Sequence, residues 1–124
     1  MTKRNGLTYE QKIINALEKL PSPIEDKRHG IVIIFENDRA RSNQSRFEHI
    51  ATSRHGLKPS DIKRIPRHIK SCIFKKDMER TNTYNIYIKR NNYDNAYIKI
   101  SVEISVGEPR VAVVKTIFIT KTLK

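Results

Sequence analysis

The most constraining feature of this 124-residue chain is a change of hydrophobic period along its length. Residues 8–20, TYEQKIINALEKL, carry apolar side chains at Tyr9, Ile13, Ala16, Leu17 and Leu20. That spacing is helical, and Thr8 is placed to cap the helix. Pro21 and Pro23 end it. In the last third the period falls to two. Residues 83–90 (TYNIYIKR), 96–106 (AYIKISVEISV) and 111–120 (VAVVKTIFIT) are rich in β-branched side chains. The middle run alternates, with Ile98, Ile100, Val102 and Ile104 on one face and Lys99, Ser101 and Glu103 on the other. The connectors NNYDN and GEPR have turn composition. A short strand over 73–75 would make the meander four-stranded. Helices first and strands after predict an α+β domain, with N-terminal helices packed on a mainly antiparallel four-stranded β-meander.

Between these regions, residues 30–36 (GIVIIFE) read as a buried strand and NDRARSNQS as a loop. RFEHIATSR, residues 46–54, predicts a short helix with Phe47, Ile50 and Ala51 facing the core and Gly56 as its C-terminal glycine. Ser60 and Asp61 then open a second short helix, DIKRI, which Pro66 should break. In Thr116 and Lys115 the last strand carries two polar interruptions. Thr116 is expected on the face of Val114 and Phe118, and Lys115 on that of Val113 and Ile117. The length fits a single domain, 1–124.

The net charge of +12 is unevenly spread. Residues 1–38 are neutral, whereas residues 39–70 hold nine basic and two acidic side chains. Such a concentration exceeds what solubility requires and predicts a positive face that draws polyanions, nucleic acid first among them. Other classes drop out. No apolar run approaches the ~18 residues of a membrane span, and the basic start lacks the apolar stretch of a secretory signal, so a cytoplasmic protein with no membrane partner is expected. A single cysteine, Cys72, sets aside a disulfide framework and a cysteine-based zinc site. Four scattered glycines make no phosphate loop, and no cofactor is expected.

Four histidines can exchange protons near neutral pH: His29, His49, His55 and His68. RNA cleavage without a metal needs a base for the 2′-hydroxyl, an acid for the leaving 5′-oxygen, and cations around the phosphorane. His49 and His55 lie in the most basic segment, and Arg46, His49 and Ser53 form one polar stripe on an ideal helix. His55 can join His49 only if the helix ends before it. Glu48 beside His49 could serve as either acid or base. His29 and His68 read as surface or capping residues. The six-residue spacing of His49 and His55 and the high positive charge argue against a metal. Thr116 is either a core hydroxyl or a phosphate donor. Tyr84, Tyr87, Tyr93 and Tyr97, with Lys89 and Arg90 beside them, suit base stacking and strand packing equally.

The order of elements, with FEHI followed by ATSRHG and a meander closing on VVKTIFIT, resembles the barnase–EndoU–colicin–RelE-like nucleases, especially their phage- and mobile-element-encoded branch. The likeness covers residues 30–122 and leaves 1–29 as a helical extension: a lid, a dimer contact or an antitoxin-binding element. It implies a curved four-stranded antiparallel sheet and metal-independent ribonuclease activity, often as a toxin. Carried across, His49 and His55 are the acid–base candidates and Thr116 resembles the hydroxyl on the last strand. Arg46 and Arg54 resemble phosphate-binding cations, and Lys58, Arg67, Lys89, Arg90 and Lys115 complete the expected nucleic-acid contacts. The resulting expectation is a metal-independent endoribonuclease that leaves a cyclic phosphate, with single-stranded RNA or a tRNA loop as substrate and an acidic inhibitor as a possible partner. The alternatives are a non-catalytic nucleic-acid-binding module of phage or mobile-element origin, and an interaction domain that meets an acidic protein.

Overall fold

A computed structural model describes residues 7–41, 43–52, 56–90, 95–107 and 109–123. The first helix, α1 (Tyr9–Glu18), forms where the apolar period places it. Thr8 caps it reciprocally: the Gln11 N–H donates to the Thr8 hydroxyl, and the Thr8 N–H donates to the Gln11 side-chain carbonyl. Ile13, Ala16 and Leu17 on its inner face are buried.

The strands are β1 (Ile24–Asp26), β2 (Ile31–Ile34), β3 (Arg39–Arg41), β4 (Gln44–Ser45), β5 (Ile73–Lys76), β6 (Thr83–Lys89), β7 (Tyr97–Ile104) and β8 (Arg110–Thr120). Strands β5 to β8 follow one another antiparallel, but they do not make a separate four-stranded meander. They belong to a six-stranded mixed sheet of order β1-β2-β8-β7-β6-β5, with β3 and β4 forming a small ribbon apart from it. The correction comes from β2, which runs parallel to β8 with Ile31 opposite Arg110 and Ile34 opposite Val113. The continuous apolar run IVII fits a strand inside the sheet, with Ile31 and Ile33 buried and Val32 and Ile34 half-buried on the other face.

Helices α2 (Arg46–Thr52) and α3 (Pro59–His68) complete the described helices, and a 3-10 turn at Ile69–Ser71 leads into β5. Helix α2 buries Phe47, Ile50 and Ala51 as expected and is described as far as Thr52; the expected end at residue 54 lies outside the described residues. Gly56 has φ +75, the left-handed conformation expected of a helix-terminating glycine. Helix α3 is longer than expected. It starts at Pro59, its entry held by the Lys58 N–H donating to Asp61 Oδ2 at 2.9 Å. It continues through Pro66 to His68. A proline in a helix costs about 3 kcal/mol. Here Pro66 falls in the last turn, and Ile62, Ile65 and Ile69 are buried at helical spacing beside it. At about 1.5–3 kcal/mol for each such side chain, that burial exceeds the cost.

The helices pack on the sheet face that carries Ile33, Ile86, Ile98, Ile100, Val102, Val114 and Ile117. Residues 1–29 contribute Ile13, Leu17 and Ile24 to this same core. The sheet curls around it until its two edges meet. The His29 ring, just after β1, stacks on Phe74 of β5 at 4.6 Å, and Arg28 donates to the carbonyls of Lys70 and Cys72. No described helix is long and apolar enough to cross a membrane.

Candidate nucleic-acid interface

The face of β6, β7 and β8 opposite the helices presents ordered cross-strand rows. Asn85, Ser101 and Thr116 form one row, and Tyr87, Lys99 and Phe118 the next. Lys89, Tyr97 and Thr120 form the third. The register of β8 depends on a bulge. Val114 pairs with Val102 and Thr116 with Ser101, so Lys115 is the extra residue. The bulge shifts the alternation. Val114 and Ile117 both turn into the core, and Thr116 and Phe118 lie on the outer face with Val113. Strict alternation had placed Thr116 with Val114, and one inserted residue overturns that expectation.

Lys99 is central to this face. Its Nζ lies 5.8 Å from the centroid of the Tyr87 ring and 5.2 Å from that of Phe118. Tyr97 meets Tyr87 edge to face at 6.4 Å. Burial, and secondarily the nearby Asp77 carboxylate, push the Tyr87 hydroxyl above its ordinary value. Tyr87 is therefore a neutral, packed support, while Tyr97 and Phe118 are half-buried and offer ring surface. Below them the Ser101 hydroxyl donates to Asn85 Oδ1 at 2.8 Å, and the Asn85 amide donates to Asp77 Oδ2 at 3.2 Å. Beside this row lies a cleft of about 480 Å³, lined by Lys75, Lys76, Asp77, Met78, Glu79 and Lys99. Lys75 Nζ donates to the Leu123 carbonyl at 2.8 Å, which ties the end of the chain to β5. Tyr84 points the other way and stacks on Phe74 at 4.9 Å, on the core side. The expected tyrosine cluster is thus split by strand parity, and Tyr93 lies outside the described residues.

The sequence candidates separate into groups. At the bulge, Arg46 donates to the Lys115 carbonyl at 3.2 Å and pairs with Asp38, its Nε 2.9 Å from Oδ1. That hydrogen bond holds the Asp38 carboxyl below its usual value despite some burial. Arg46, Lys115 and Thr116 are therefore brought together, with His49 half-buried one turn further along α2. Lys115 Nζ also approaches Glu103 at 3.8 Å. Arg90 is held inside the fold. It is 8 % exposed, pairs with buried Asp61 at 2.8 Å and donates to the Gly56 carbonyl. Lys89 is exposed at the end of β6. Lys58 and Arg67 are exposed at the start and end of α3, in a second positive surface that includes Lys63 and Lys70. His68, in this surface, is lowered below the usual imidazole value by burial and then by Arg64, Arg67 and Lys70. His55 and Arg54 lie outside the described residues.

Sequence reasoning passed over Lys99 and Phe118 as binding residues. The available signal was the alternation of β7, which puts Lys99 on the polar face across from Tyr87. Compared with known proteins, the chain matches no family model, no curated protein and no solved structure.

Proposed function

We propose that the protein binds single-stranded RNA across the outer face of β6, β7 and β8. The observation that carries this reading is the placement of Lys99 between the Tyr87 and Phe118 rings, on the face opposite the core. Aromatic rings interleaved with cations stack unpaired bases and hold the adjoining phosphates. Duplexes hide those bases, so single strands fit better. The half-buried Thr116 hydroxyl, in the same row as Ser101, can pair with a 2′-hydroxyl and favour RNA over DNA. A cytoplasmic location belongs to this reading, and an acidic protein inhibitor would compete for the same cations.

A second reading, metal-independent RNA cleavage to a cyclic phosphate, is favoured by the β8 bulge, where Arg46 donates to the Lys115 carbonyl next to Thr116, with His49 one turn further along α2. In it His49 and His55 transfer protons, and Thr116 and Arg54 contact phosphate. Such an activity in a phage- or plasmid-borne protein would suit a toxin. Anisotropy with a labelled single-stranded oligoribonucleotide tests the first reading. Salt-sensitive binding that Lys99→Ala and Phe118→Ala both weaken supports it, and unchanged affinity in both variants refutes it. Incubation with total RNA in chelator tests the second. Strand scission that falls at least ~100-fold in His49→Ala supports cleavage, whereas intact RNA leaves a binding protein.

A further inference from the structure

Where the edges of the curled sheet meet, three potential donor groups converge from two distant parts of the chain. Asp26 ends β1, His29 lies in the turn to β2, and Cys72 directly precedes β5. The Asp26 carboxylate, the His29 imidazole and the Cys72 thiol each offer a ligand atom, and these atoms all lie within 4.8 Å of one another. Asp26 is 2 % exposed and Cys72 1 %, while His29 is half-buried. His29 Nδ1 sits 2.7 Å from Asp26 Oδ2. The other carboxylate oxygen, Oδ1, is buried without a hydrogen-bond partner among the described residues. A buried carboxylate oxygen left unsatisfied is costly and asks for a ligand.

We propose that Asp26, His29 and Cys72 form a binding site for a zinc-class divalent transition-metal ion that ties the two edges of the sheet together. The donor set selects this class. One carboxylate oxygen, one imidazole nitrogen and one thiolate suit a borderline-soft ion that accepts all three, whereas magnesium and calcium require oxygen donors throughout. Donors around a tetrahedral zinc lie at about 2.0–2.3 Å from the metal. Two such donors stand about 3.3–3.8 Å apart, so the 2.7 Å contact of His29 Nδ1 with Asp26 Oδ2 opens as the ion enters.

Charge also allows it. A carboxylate and a thiolate together neutralise a dication, so the net positive charge of the chain does not have to be overcome at the site. Without an ion the thiol keeps its proton, because burial and the Asp26 carboxylate push Cys72 up to about 11, with Arg28 acting weakly the other way. On binding, the sulfur–hydrogen bond gives its proton to solvent and the sulfur lone pair goes to the metal. The half-buried side of His29 supplies the route for the ion and for a water that completes four-coordination. Arg28 already fixes the backbone at Cys72 through its carbonyl at 2.9 Å.

The test is a titration of metal-free protein with cobalt(II), independent of any RNA activity. Expected is one equivalent bound, with tetrahedral visible bands and thiolate-to-cobalt charge transfer in the near ultraviolet, both removed by zinc. Cys72→Ser should lose the charge-transfer band, and Asp26→Asn should weaken cobalt binding at least about tenfold. Zinc should raise the melting temperature of the wild type but not of either variant. The wild type lacking thiolate charge transfer, or both variants retaining the full zinc-induced shift, would overturn the proposal.

Discussion

Arg90 and Lys99 stand nine residues apart in the same hairpin and do opposite things. Arg90 is closed in an ion pair with Asp61, 29 residues earlier, and Lys99 sits between two rings on the outer face. Removing one partner of a buried pair leaves the other charge unsatisfied and costs about 3–5 kcal/mol. Arg90→Ala should therefore lower the urea midpoint sharply. Lys99→Ala should leave that midpoint nearly unchanged and instead weaken RNA binding. Phe118→Ala removes a stacking surface worth about 1–3 kcal/mol per base. Its affinity should fall roughly tenfold in the same anisotropy assay, while circular dichroism stays that of the folded protein. Sequence alone could not distinguish the two cations, because the partner that buries Arg90 lies in α3. Likewise His29 reads as a surface or capping residue beside Asp26, and only the closure of the sheet edges brings that pair to Cys72.

At the scale of elements, local rules are legible where one stretch of chain contains the whole device. The cap of α1 is such a case, with Thr8 and Gln11 three residues apart. Thr8→Ala should cost about 1 kcal/mol, measurable by denaturant unfolding. The alternation of β7 is another, since Ile98, Ile100, Val102 and Ile104 are buried as the period predicts, although Ser101 on the other face is buried too. Devices that depend on a partner strand were not legible. The parallel pairing of β2 with β8 joins distant parts of the chain, Ile31 with Arg110, and the bulge at Lys115 exists only relative to β7. That bulge is stabilised by Arg46, which Asp38 orients. Because the pair holds the Asp38 carboxyl below its ordinary 3.8, its contribution is present above that value and is lost as pH falls through the lower folded value. Urea midpoints followed from neutral to acid pH should drop less steeply in Asp38→Asn than in the wild type.

For the whole molecule, two positive surfaces stand out among the described residues, the outer sheet face with Lys75, Lys99 and Lys115, and the exposed side of α3 with Lys63, Arg67 and Lys70. Both would attract a polyanion, and the sheet face sets the Tyr97 and Phe118 rings among its cations. Binding should lose affinity linearly in log salt, with a slope of about −0.7 for each single-strand phosphate neutralised. Lys99→Ala should make that slope shallower by about one such unit. The most direct measurement is an NMR titration with a single-stranded oligoribonucleotide, following aromatic and methyl side-chain signals. The account predicts the largest shifts at Tyr97, Phe118 and Thr116, with Ile62 and Ile65 of α3 unmoved. Shifts concentrated around α3 while Tyr97, Phe118 and Thr116 stay silent would contradict it.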